Sequence, residues 1–356
     1  MSAVPLRTPA TDDTRGAAGR VLIVDDSAVA RAVIARVIDG SDRFTVAGAV
    51  GNVAAALEFL ARVRVDYLLL DIHLPGVDGI TALPDLIAAG GDAKVLVVSS
   101  SAADGAQHTL QALAFGAADT LVKPEAGALS GRFAAALLDK LQRLGEQAAF
   151  APAPIPIRKA RAGADAYDLI AIGASTGGIH ALSRLLRELP ASFGLPVLIT
   201  QHLPANFMPY FAAQLALLAG RPCEVATDRL RVRPGRLIVA PGDAHLCVAP
   251  LPDGGACVRL SRAPAASGCM PSVDPMLASV AAAVGARAMG VVLSGMGRDG
   301  VDGARRLREA GGGVVVQDQE SSVIWGMPGA VAAQGLAEAM LPPEAIGRLL
   351  AERRRP

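Results

Sequence analysis

Short runs of Val, Ile and Leu recur along the chain, separated by stretches with helical patterning. VLIVDD, DYLLLDIH, KVLVVSSS and DTLVKP are the apolar runs of the first part; YDLIAIG, PVLITQH, RLIVAPG, MGVVLSG and GVVVQD are those of the second. A segment apolar at consecutive positions fits a strand buried on both faces. Crossover-length helical segments between such strands imply a parallel sheet covered on both sides. The alternation is broken once, near Leu144, by GEQAAFAPAPIPIRKARAGADA, whose proline-spaced middle favours extended geometry and whose remainder is small or polar. The pattern therefore predicts two α/β domains, at 20–142 and 167–350, joined by a linker at 143–166. A polar leader occupies 1–19 and a charged tail 351–356.

Composition narrows the function classes. Of 356 residues, 52% are apolar and 19% charged, which excludes a disordered chain. The 34 basic and 33 acidic residues leave a formal charge of +1, and only 3% of residues are aromatic. Neither a phosphate-backbone binder nor a base-stacking surface is expected, so nucleic acid is not a predicted partner. No apolar run reaches the ~18 residues of a membrane span, and the leader has no apolar core. A soluble, cytoplasmic protein without direct membrane insertion is expected. Cys223, Cys247, Cys257 and Cys269 form no CxxC pair and are read as reduced thiols. His245 and Cys247 are close together, but the gaps to the other cysteines match no familiar zinc spacing.

Polar residues collect at the ends of the predicted strands. In the first domain these are Asp25 and Asp26, Asp71, Ser99 and Lys123. In an open parallel sheet the C-terminal strand ends converge on one crevice. Three carboxylates brought together there would repel unless a hard divalent cation neutralised them, and Mg²⁺ is the expected ion. An Asp beside that ion can accept a phosphoryl group, with Lys123 compensating the added charge. Any one of these Asp residues alone reads as a helix cap.

In the second domain YDLIAIGASTGGIHALSRLL is a strand, a glycine-rich turn and an amphipathic helix, with Ser175 inside GASTG. Such a turn exposes a hydroxyl near helix N-terminal amides and suits a nucleophile, a phosphate cradle or a cap. A nucleophilic serine needs a base. His202 follows the strand PVLITQ, and Asp299 lies in GMGRDG after MGVVLS, so both fall at neighbouring strand ends. His180 and Asp302 are the rivals, one a turn into the helix after Ser175 and the other inside the next helix. The catalytic reading requires the alcohol, the imidazole and the acid to meet in one hydrogen-bonded chain.

Residues 20 to 142 resemble the receiver domains of two-component response regulators, through VDDS, LLLDIHLPGVDG, the hydroxyl after VLVV, and VKP. That resemblance implies a doubly wound, flavodoxin-like parallel sheet with Asp71 as phosphoacceptor. Mg²⁺ would sit on Asp26 and Asp71 with Asp25 assisting, and Ser99 and Lys123 would contact the phosphoryl group. Thr120 stands where many receivers carry an aromatic switch residue. Residues 167 to about 350 resemble the catalytic domain of the chemotaxis protein-glutamate methylesterases, the CheB family. The resemblance rests on IGASTGG, ITQHLP, VAPGDAHL, PSVDPMLASVA, VLSGMGRDG and VVQDQESSVIWGMP.

It implies a second, mainly parallel α/β domain with Ser175 as nucleophile, His202 as general base and acid, and Asp299 as its orienting partner. The backbone amides of Thr176 and Met296 would form the oxyanion hole. The implied reaction is phosphorylation-activated hydrolysis of glutamate methyl esters, with deamidation of glutamines, on chemoreceptor cytoplasmic helices. A histidine kinase would be the phosphodonor, and the esterase reaction itself needs no cofactor. Met270 before PSVD, and Ile179 and His180 at the helix start, depart from the family pattern. The alternative is a non-catalytic, phosphorylation-dependent module that grips receptors or kinase.

Overall fold

The computed structural model describes residues 18–100, 105–123, 131–145 and 167–352. Most of the predicted leader and linker, and the last four residues of the tail, lie outside the described residues.

The first unit alternates strictly: β1 (Gly19–Val24), α1 (Ala28–Asp39), β2 (Phe44–Val50), α2 (Val53–Leu60), β3 (Tyr67–Asp71), α3 (Gly79–Gly90), β4 (Lys94–Ser100), α4 (Gly105–Ala114), β5 (Asp119–Lys123) and α5 (Gly131–Gly145). Among the described residues its strands form a five-stranded sheet in the order β2-β1-β3-β4-β5, every pairing parallel. This is the doubly wound, flavodoxin-like order, with its switch point between β1 and β3. The central strand β3 is buried at all five positions, as its unbroken YLLLD run requires. Strand β2 was not among the predicted runs. Its sequence FTVAGAV mixes Thr and Gly with apolar residues because it lies at the sheet edge and is mostly half-exposed.

The second unit contains β6 (Leu169–Ala174), α6 (Gly178–Arg187), β7 (Val197–Gln201), α7 (Met208–Ala219), β8 (Cys223–Val225), β9 (Leu237–Val239), β10 (His245–Pro250), β11 (Ala256–Ser261) and α8 (Val273–Ala283). It continues with β12 (Ala288–Val292), α9 (Val301–Glu309), β13 (Gly313–Gln317), α10 (Met327–Ala333), β14 (Ala339–Leu341) and α11 (Pro343–Glu352). Its main sheet runs β14-β13-β12-β6-β7-β9-β8, again with every pairing parallel. β10 and β11 form an antiparallel hairpin beside it. Chain order reverses around β6, where β12 and β7 flank it on opposite sides, so the loops after these three strands open onto one crevice.

The two units share a core. Leu110, Leu113 and Ala117 of the first unit belong to the same buried cluster as Ile179, Leu182 and Met208 of the second. Polar contacts also cross the boundary: His180 Nδ1 donates to the carbonyl of Ala114 (3.0 Å) and Gln214 Nε2 to that of Leu110 (3.4 Å). A second contact patch places Ile324 in a cluster with Tyr67 and Leu144, and Val323 and Met296 pack against that cluster.

Candidate active site and acidic pocket

Ser175 follows β6 in the turn before α6, and its backbone is held on both sides. Its N–H donates to Ser294 O (3.0 Å), while its carbonyl accepts from Gly178 N–H (2.8 Å) and Gln201 Nε2 (2.9 Å). The turn needs glycine at two places. Gly177, the N-cap of α6, has φ +76, and a Cβ there would lie 2.5 Å from Val323 Cβ. A Cβ at Gly295 would lie 2.8 Å from the Cβ of Ser175 itself. Small residues in GASTG and SGMG therefore let two loops touch.

His202 comes directly after β7, and its N–H donates to Ala174 O (3.2 Å). Its Nε2 lies 2.8 Å from Asp299 Oδ2, which leaves Nδ1 as the ring nitrogen for the serine side. Asp299 is 2% exposed and accepts four further donors. Ser272 Oγ (2.7 Å), Asp274 N–H (3.2 Å) and Gly300 N–H (3.0 Å) reach Oδ1, and Val273 N–H (2.7 Å) reaches Oδ2. Two of these amides are the first of α8, so the carboxylate faces a helix N-terminus, where negative charge is favoured. Asp299 is thus a helix cap as well as an imidazole partner, but for α8 rather than for α9. Burial works to raise its pKa, yet the bonds from His202, Val273 and Ser272 hold it low, at about 2. The imidazole moves the opposite way. Burial alone would lower its pKa, and the contacts with Asp299 and then Cys269 raise it to about 9.

The expected chain of three groups is closed on its acid side. Among the described residues Ser175 Oγ makes no hydrogen bond to His202, so the two groups must approach before a proton can pass between them. Catalytic bonds of this kind often tighten only when substrate is bound. Ser175, Thr176, Gln201 and His202 line a common cleft, roofed by Leu113, Ala117, Ala118 and Asp119 of the first unit. The cleft holds about 60 Å³, room for a handful of waters and far too little for a helix ~10 Å across. Among the described residues neither the Thr176 nor the Met296 amide donates to a protein acceptor. The loops carrying them are tied together, because Ser294 Oγ donates to Thr176 O (2.8 Å) and accepts from Ile324 N–H (3.1 Å).

The rivals fall elsewhere. His180 faces Ala114 across the unit boundary, and Asp302 pairs with Arg305 on an exposed surface. His245 is consumed by structure, its Nε2 against Ala263 O and its Nδ1 accepting Ser272 N–H. That bond helps place the serine that feeds Asp299. Two neighbours of the site carry no sequence signal for this place: Gln201 stands out only as the residue before His202, and Cys269 only as one of four reduced thiols, next to the exposed Met270.

The strand ends of the first sheet bring their carboxylates together as expected. Lys123 Nζ sits 2.7 Å from Asp25 Oδ2 and 2.6 Å from Asp71 Oδ2, and both acids are nearly fully buried. Burial alone would lower the Lys123 pKa, but its bonds to Asp25 and Asp71 raise it. One carboxylate oxygen from each of Asp25, Asp26 and Asp71 lies within 4.8 Å of the other two. Arg31 Nη1 fixes the backbone below them through Asp25 O (2.6 Å) and Asp26 O (2.9 Å). Ser99 lies in β4, paired with Val122, and its side chain is outside the described residues. Thr120 lies in β5 opposite Val97, and its N–H donates to Asp119 Oδ1 (2.7 Å).

A doubly wound unit with a buried acidic pocket, packed over a serine, imidazole and carboxylate at neighbouring strand ends, defines a receiver-controlled hydrolase. Comparison with known proteins agrees. Residues 170–350 match the CheB methylesterase family and residues 21–130 the response regulator receiver domain. A protein-glutamate methylesterase/protein-glutamine glutaminase 2 of Caulobacter vibrioides is 40% identical over 344 residues, covering 94% of this chain and 99% of that protein. One from Azospirillum brasilense is 37% identical, over 96% of this chain and 95% of its own length. The crystal structure of the Thermotoga maritima CheB methylesterase catalytic domain superposes with a TM-score of 0.51 at 33% identity, covering 52% of this chain and 98% of that one. The chain belongs to the CheB methylesterase family.

Proposed function

We propose that this chain hydrolyses γ-methyl esters of glutamate, and deamidates glutamine, on the cytoplasmic helices of chemoreceptors, under control of phosphorylation at Asp71. The observation that carries the reading is the His202–Asp299 contact of 2.8 Å beside the turn that holds Ser175. In the proposed sequence the imidazole takes the Ser175 proton as the oxygen attacks the γ-carbonyl, and the carboxylate holds the resulting imidazolium. The Thr176 and Met296 amides receive the oxyanion. Each such donor is typically worth ~10² to 10³ in rate, since it meets charge that exists only in the transition state. As the C–O bond breaks, His202 gives the proton to the departing methoxide, which leaves as methanol, or in deamidation to the departing amide nitrogen, which leaves as ammonia, and water then cleaves the acyl-serine by the same route. The domain limits follow the same reading: a receiver at 20–142, a linker at 143–166 and a catalytic domain at 167–350.

For control, the roof of the cleft supplies the closed state. While Asp71 is free, α4 and the turn after it exclude the receptor helix from a space of about 60 Å³. Phosphoryl transfer from a histidine kinase would change the charge in the acidic pocket and favour release of that contact. Mg²⁺ suits the hard oxygen donors gathered there; Asp26 and Asp71 would hold it with Asp25 assisting, and it would offset phosphoryl charge. Lys123, already touching both buried acids, would pair with the added negative charge, and Ser99 would contact the phosphoryl group. A tenfold activation needs only ~1.4 kcal/mol between closed and open states.

The test measures methanol released from methylated receptor fragments, with and without a small phosphodonor and Mg²⁺. Ser175→Ala should abolish release, and equal release from the variant removes Ser175 from the mechanism. Asp71→Ala should keep the basal rate and lose the donor response. A response that persists refutes control through Asp71.

A further inference from the structure

Cys269 lies against the proposed catalytic base. One donor atom from each of His202, Cys269 and Asp299 falls within 4.8 Å of the other two, giving a nitrogen, a sulfur and an oxygen around one point. Asp299 is buried and the other two are half-buried, so the cluster has an anchored side and an approachable one. We infer that His202, Cys269 and Asp299 form an inhibitory binding site for a divalent transition metal, best suited to Zn²⁺. The inference rests on the esterase reading above, which it deepens by naming a ligand that silences the same site.

The donor chemistry selects the ion. Mixed imidazole, thiolate and carboxylate ligands suit Zn²⁺, whereas Mg²⁺ prefers oxygen alone and belongs in the acidic pocket of the receiver. Three protein ligands with an open fourth position are an ordinary zinc arrangement. Tetrahedral bonds of ~2.0 to 2.3 Å place donors about 3.3 to 3.6 Å apart. The His202–Asp299 pair at 2.8 Å must therefore open by roughly half an ångström. The sulfur must close by about 1 Å or less. Cys269 can make that movement. Its neighbour Gly268 has φ +70 with open space around it, and although the Cys269 backbone N–H donates to Ser267 Oγ (3.3 Å), the thiol itself holds Ser267 O only at 3.8 Å.

Binding exchanges protons for metal: the thiol loses its proton, the imidazole is taken neutral, and both protons leave to solvent. Metal on Nε2 cuts the bond to Asp299, and metal on Nδ1 occupies the lone pair needed by Ser175, so either mode stops proton transfer.

The experiment uses the full chain and two probes. Co²⁺ reports ligation without turnover, because only a thiolate ligand gives an intense sulfur-to-cobalt charge-transfer absorption; the oxygen donors of the receiver do not. Wild type and Ser175→Ala should both show the band, while Cys269→Ser and Cys269→Ala should lose it. Zn²⁺ at ten times its Kd should lower wild-type methanol release about elevenfold, reversed by chelator, and the ratio of rates without and with Zn²⁺ should fall toward one in both Cys269 variants. No band in wild type, or a band that persists in both variants, overturns the site. A band without methanol release from unmetallated wild type leaves the metal site standing and refutes the esterase reading instead.

Discussion

His180→Ala isolates the contact that closes the site. The imidazole donates to the Ala114 carbonyl at 3.0 Å and packs against the turn at Gly116, where an added Cβ would be 3.5 Å from the ring. A part-buried hydrogen bond of this kind contributes ~0.5 to 1.5 kcal/mol. The loss falls on the closed state alone, since an exposed Ala114 carbonyl is satisfied by water. The substitution should therefore shift the closed-to-open ratio by about 0.5 to 1.5 kcal/mol, a factor of ~2 to 12. Methanol release by the unphosphorylated protein should rise at least about twofold, or until it meets the donor-activated rate, which should not change. The sign also tests the rival base, because loss of a catalytic imidazole would depress both rates together. A parallel fall would restore His180 as a catalytic candidate. No change in either rate would show that the α4 to α6 contact does not control access.

Asp299→Asn keeps the size of the side chain but turns an amide nitrogen toward donors that the carboxylate accepts. It should lower kcat by ~10⁴, as loss of the orienting acid does in comparable triads, and lower Tm because α8 loses its cap; a fall in Tm with an unchanged kcat would reduce Asp299 to a structural role. His202 is held at about 9, so at neutral pH it is mostly imidazolium and cannot accept a proton. The metal-free rate should climb with pH toward that value, and Cys269→Ala should move the inflection lower, since one raising contact is gone; a flat pH profile from 6 to 9 would refute the assignment. Gly177→Ala should cost more than ~1 kcal/mol of stability and most of the activity, because it forces both a left-handed backbone and a 2.5 Å contact with Val323. Calorimetry and methanol release together check this.

The sequence by itself determined the strands that are buried on both faces and the polar groups at their ends. VLIV, YLLL, LIAIG and GVVV are apolar at consecutive positions because each lies inside a covered parallel sheet, and that topology then places Asp25, Asp71, Ser175 and His202 at crevice mouths. Three of the four sheet edges and the hairpin were not legible. β2, β8, β10 and β11 are half-exposed at several positions and mix polar with apolar residues, and β14 is only three residues long, so their patterns blend into loops. Tertiary structure alone decided which acid serves as partner and which as cap, because Asp299 does both, toward a helix that begins 26 positions earlier in the chain. It also decided that Cys269 meets His202 and that His180 meets Ala114. Those contacts depend on how separate loops and units pack, and no local spacing records a meeting between residues 66 positions apart.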